Sequence, residues 1–76
     1  MVLSELEKNV LEKGKEEMLK AKDVNSLNKT YRQLRTWNRW HSIGLNRPFK
    51  DDETYVYINE QFKAYRNQAR EGLNDN

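Results

Sequence analysis

The chain contains no cysteine, so neither a disulfide framework nor a thiolate metal site is open to it, and a reducing compartment such as the cytoplasm is the default expectation. No stretch approaches the ~20 apolar residues needed to cross a bilayer, and the N-terminus lacks the basic-then-apolar layout of a secretion signal. A membrane role is therefore not expected, and the chain reads as a whole mature protein. Proline occurs once, at Pro48, and marks the one irregular corner, from Leu45 to Lys50, where Phe49 is expected to pin the loop on the core. Apolar residues are scarce too, at 36% against 34% charged among 76 residues. A domain of this size hides only ~60% of the surface its unfolded chain exposes. Its apolar residues must be concentrated on a few faces, and self-association through the first helix is one way to supply the missing burial.

The last absence is of acidic side chains. Residues 26–50 carry six Lys/Arg and no Asp/Glu, whereas residues 1–25 carry five and six, and residues 51–76 carry three and six. The net charge of +2 hides a centre of +6 flanked by −1 and −3. Charge distribution, more than net charge, points to a partner.

Periodicity predicts three helices and an all-α domain spanning residues 1–76: an antiparallel hairpin of the first two helices with the third packed across it. Ser4 and Glu7 have capping-box spacing at the start of the first helix, which is expected to run from Ser4 to Lys22. Leu3, Leu6, Val10, Leu11, Gly14, Met18 and Ala21 fall on its apolar face. Gly14 lies inside that face, where the absent side chain lets another element approach closely. The remainder mixes Glu and Lys as a solvated surface. Lys13 and Glu17 stand where a heptad requires apolar residues, which argues against a coiled-coil rod.

Asp23, Asn25 and Ser26 interrupt the first helix and start a second, expected over Val24 to Ser42, with Leu27, Tyr31, Leu34, Trp37 and His41 on one face and Gly44 as its left-handed terminator. Asp51, Asp52 and Glu53 offer caps for a third helix running to about Glu71, striped by Tyr55, Ile58, Phe62, Tyr65, Ala69 and Leu73, with Gly72 at its end. Thr54 to Ile58 is rich in β-formers and alone could form a strand; the longer downstream pattern favours helix. The expected core is Leu6, Val10, Met18, Leu27, Leu34, Trp37, Phe49, Ile58, Phe62 and Tyr65.

Function is read from the second helix. Arg32, Arg35 and Arg39 follow i, i+3, i+7 spacing, with Lys29 close by and Arg47 beyond the helix end, on the side opposite Leu34, Trp37 and His41. Such a ridge can neutralise phosphates and release their counterions, the sequence-independent part of nucleic-acid affinity. A charged face also serves solubility alone, but such faces ordinarily mix both signs, as the first helix does. Trp40 lies beside the ridge, where an indole can stack on a base, anchor a protein interface, or merely cover the edge of a small core. Lys63, Arg66 and Arg70 repeat the spacing on the third helix and would extend the ridge if the helices lie side by side, although Glu60 and Glu71 dilute them.

Catalysis is not expected, because no phosphate-binding glycine loop, nucleophile elbow or H-E-x-x-H pattern is present. No cofactor or metal is expected either. His41 has Trp37 and Gly44 as helical neighbours and no local carboxylate to orient it, so a half-buried ring bonded to a backbone carbonyl is the expectation. The leading functional expectation is a non-catalytic accessory or regulatory protein binding nucleic acid with low specificity through Lys29, Arg32, Arg35, Arg39, Trp40 and Arg47. The alternative is a protein-interaction module, an inhibitor or assembly factor, using the same surface on an acidic protein.

Overall fold

The computed structural model describes residues 1–47 and 51–74. Those residues form three helices, α1 (Glu5–Leu19), α2 (Val24–Gly44) and α3 (Glu53–Asn74). The fold is the expected all-α three-helix arrangement, in which α3 packs against both α1 and α2 and those two share the thinnest interface. Pro48, Phe49 and Lys50 lie outside the described residues, and the expected pinning by Phe49 lies there with them.

Local chemistry sets the helix starts. At α1 the Glu7 N–H donates to Ser4 Oγ (3.1 Å) while the Ser4 N–H donates to Glu7 Oε1 (2.8 Å), a closed capping box. Asp23 caps α2 by accepting the Ser26 N–H at 2.7 Å, and that bond holds its carboxyl below the usual range. Asp52 accepts the Tyr55 N–H at 2.9 Å, which begins a helix through Thr54 to Ile58 in spite of their β-propensity. Thr54 and Ile58 are both buried while Val56, which a strand would put on the same face, is exposed, the i, i+4 pattern of a helix rather than the alternation of a strand.

The helix ends differ from expectation. Gly44 and Gly72 both lie within helices, and no glycine of the described residues has positive φ. The left-handed residue after α2 is Asn46, at φ 56°, a conformation that asparagine tolerates better than most residues. The Arg47 N–H donates to Ser42 O (2.9 Å) and the Asn46 N–H to Ile43 O (3.0 Å), the paired bonds of a Schellman turn. The turn doubles the chain back and places Arg47 against the bundle.

Leu11, Met18, Leu27, Ile58, Phe62 and Ala69 form the buried core, with Leu3, Val10, Tyr31, Leu34, Tyr65 and Leu73 among the half-buried residues around it. Gly14 is the close approach its position suggested. A Cβ there would meet Leu34 Cδ1 at 3.0 Å and Phe62 Cε1 at 3.2 Å. Leu6, expected in the core, is 53% exposed because α1 turns Glu7, Leu11, Gly14 and Met18 inward and leaves Leu6 on the rim of an open α1–α2 groove.

The second helix is rotated too: its buried residues are Leu27, Asn38 and Ser42, while Trp37 and His41 are only half-buried. Covering by α3 draws that side inward. Asn38 Nδ2 donates to Tyr55 O (3.1 Å) and Asn59 Oδ1 (3.0 Å), so a polar clasp, rather than an apolar contact, joins α2 to α3 at this level.

Candidate functional site

Rotation of α2 decides where its cations go. Arg32 and Arg35 emerge beside α3 rather than on the far side of the bundle, and two recesses along the α2–α3 seam bring them together with cations of α3. The first, of about 470 Å³, is lined by Asn25, Asn28, Tyr31, Arg32, Arg66 and Arg70. The second, of about 310 Å³, is lined by Arg35 and Lys63 together with Tyr31, Tyr55, Asn59 and Glu60. Tyr31 lines both, so the recesses are contiguous across it. Arg66 lies 4.6 Å and Arg35 5.6 Å from its ring centroid, within cation–π range. Arg66 is further steadied by Nε and Nη2 bonds to Asn67 Oδ1 at 3.3 and 3.2 Å.

The residues singled out from sequence separate into four groups. Arg32 and Arg35 join Lys63, Arg66 and Arg70 at the seam, the side-by-side arrangement on which the extended ridge depended. Lys29 and Arg39 are exposed, and Arg39 carries an interaction of its own. Trp40 is 65% exposed, but it lies roughly 160° round α2 from Asn38 at 100° per residue and is not among the residues lining either recess.

Arg47 does not extend the ridge. Its Nη1 donates to Glu7 Oε2 at 2.9 Å, and His41 Nε2 lies 3.0 Å from the same oxygen. Glu7 is 1% exposed and has its second oxygen on the Ser4 N–H. A carboxylate only accepts, so the His41 proton toward it sits on Nε2. The orienting group for His41 is therefore this carboxylate, not the backbone carbonyl expected, and its ring stacks on Trp37 at 4.7 Å. Burial pushes the Glu7 carboxyl up, but the Ser4 N–H, Arg47 and His41 together hold it at about 2, against an ordinary 4.5.

The sequence carries one signal of this buried cluster. Glu7 lies on the same helical line as Leu3, Leu11, Gly14 and Met18, and an acid on an apolar stripe needs buried partners.

A groove of about 720 Å³ lies on the other side of α2, between it and α1, and includes Leu6, Val10, Gly14, Leu34 and Trp37 in its lining. No helix of the described residues is long and apolar enough to cross a membrane. Compared with family models, curated proteins and solved structures, the chain matches none of them.

Proposed function

We infer that the chain is a non-catalytic nucleic-acid-binding protein whose contact surface is the α2–α3 seam. One observation carries the reading: Arg32 and Arg35 of α2 and Lys63, Arg66 and Arg70 of α3 line two contiguous recesses in which Glu60 is the only carboxylate among the described residues. Three of these guanidiniums share the recess at one end, where their planar forks suit phosphate oxygens. The molecule is 42 Å in its longest dimension, and antiparallel packing of α2 on α3 spreads the cations along the seam. That suits a linear polyanion. Lys29 and Arg39 supply flanking charge. Contacts of this kind position a phosphate backbone and read no base sequence, so specificity is low.

Titrating labelled duplex and single-stranded DNA or RNA with the protein tests this reading. Binding that weakens as salt is raised, and that Arg35→Glu weakens further while the helical circular-dichroism signal is retained, is the expected result. Absence of binding at low salt would eliminate it.

A second reading, a protein-interaction module, is favoured by the exposure of Leu6 and Trp40. In that reading an acidic protein takes the cationic seam or packs on Trp40 at the outer face of α2, or a second copy covers Leu6 on α1. Sedimentation of the purified chain, alone and with Leu6→Glu, separates the homodimer from the monomer.

A further inference from the structure

The first of the two seam recesses is chemically unlike the second. It gathers three guanidinium groups, those of Arg32, Arg66 and Arg70, with the carboxamides of Asn25 and Asn28, and no carboxylate of the described residues lines it; in the second, Arg35 and Lys63 are offset by Glu60. The local balance is thus three positive charges against one (two cations less one carboxylate). A phosphodiester brings a single negative charge to such a site, whereas a phosphomonoester brings about −1.5 to −2 at neutral pH and three terminal oxygens. The monoester is the better match in charge and in the number of acceptors facing the arginine forks.

Position adds a second argument. Asn25 and Asn28 belong to the opening turns of α2, and Arg70 to the closing turns of α3, so this recess lies toward one end of the seam. A strand laid along the seam arrives there end-on. Arg66 is already set: its ring contact with Tyr31 and its two bonds to Asn67 fix the guanidinium, and its Nη1 hydrogens remain uncommitted among the described residues. An arginine held in this way loses less freedom when it binds.

We propose that the Arg32–Arg66–Arg70 recess binds the terminal phosphomonoester of a nucleic-acid strand whose adjoining phosphodiesters run past Arg35 and Lys63. The proposal rests on the seam being the nucleic-acid surface. Its test is fluorescence anisotropy with one labelled single-stranded oligonucleotide prepared in three forms: 5′-phosphorylated, 3′-phosphorylated and with hydroxyls at both ends. One phosphorylated form is expected to bind about tenfold more tightly than the unphosphorylated strand. Arg70→Gln and Arg32→Gln, both at exposed positions, should abolish that preference, weakening the phosphorylated form about tenfold more than the unphosphorylated strand, which loses only one seam contact. Arg35→Glu should weaken all three forms alike.

Equal, salt-sensitive binding of the three forms would overturn the terminal site and leave the seam reading standing. Failure of all three to bind at low salt would remove the seam reading and the terminal site together. Inorganic phosphate that competes as well as the phosphorylated strand would also overturn the proposal, because the recess would then be a free-anion site.

Discussion

Arg47 reaches back forty residues to Glu7, and its Nη1 meets the carboxylate oxygen that His41 also engages, at 2.9 and 3.0 Å respectively. The contact ties the chain after α2 to the first turn of α1, and it exists because Asn46 adopts the left-handed conformation that turns Arg47 inward. An arginine in the cationic middle of the sequence thus serves the fold. Glu7 is buried and Arg47 half-buried, so removing one partner leaves the other charge uncompensated, at a cost of up to roughly 3–5 kcal/mol. Glu7→Ala should lower the thermal midpoint severely in a domain this small, and Glu7→Gln, which keeps the shape but not the charge, should do so less. Circular-dichroism melts check both. Arg47→Gln should destabilise while leaving nucleic-acid affinity per folded molecule unchanged, the reverse of a seam arginine.

The same cluster sets a pH dependence. The Glu7 carboxyl titrates at about 2 in the folded chain against an ordinary 4.5, so the unfolded state binds more protons between those values and stability falls as pH falls. Its contribution should be fully present above about pH 4.5 and lost progressively toward pH 2. Denaturant midpoints measured across that window should decline for the wild type. For Glu7→Gln the decline should be shallower, and an equally steep decline would show that other carboxyls dominate acid unfolding.

Gly14 gives a graded prediction. Alanine in a helix interior is worth about 1 kcal/mol over glycine, but its Cβ would lie 3.0 Å from Leu34 Cδ1 and 3.2 Å from Phe62 Cε1. Leu34 is half-buried at the groove edge and can yield; Phe62 is fully buried and cannot. Gly14→Ala should therefore change stability by less than about 1 kcal/mol, because the gain in propensity offsets the crowding. Gly14→Val should cost about 2–3 kcal/mol, measurable by urea denaturation.

The polar layer under α2 separates two neighbouring residues. Asn38 donates two bonds to α3 through Nδ2, although its Oδ1, like Ser42 Oγ, is buried with no hydrogen-bond partner among the described residues; the Ser42 hydroxyl makes no bond at all among them. Asn38→Ala should cost about 1–3 kcal/mol by removing both bonds that Nδ2 makes to α3. Ser42→Ala removes an unpaired hydroxyl and introduces the better helix former, so it should be neutral or stabilising by up to about 1 kcal/mol. Reversal of that order would contradict the assignment of the clasp to Asn38.

Features set by neighbours in sequence were legible before the structure. Ser4 and Glu7 sit three residues apart, Asp23 precedes its helix directly, and each cap forms as spacing implies. Gly14 was legible because a residue without a side chain inside an apolar stripe has few other uses. What escaped depends on tertiary partners. His41 and Arg47 are 34 and 40 residues from Glu7, too far for local pattern to pair them. The rotation of α2 toward Asn38 and Ser42 follows from where α3 lies, and with it Arg32 and Arg35 moved to the seam while Trp40 was left on the outer face. Glycine best tolerates positive φ, which points to Gly44 as the terminator, but α2 runs through Gly44 and Asn46 takes that role.

The slope of log affinity against log salt, for a single-stranded oligonucleotide, tests the central claim most directly. Five seam cations on a single strand correspond to a slope of about −3.5, and Arg66→Gln should make it shallower by about 0.7 with the fold intact. A slope near zero, or one that Arg66→Gln and Arg35→Glu both leave unchanged, would contradict the assignment of the α2–α3 seam as the phosphate-binding surface.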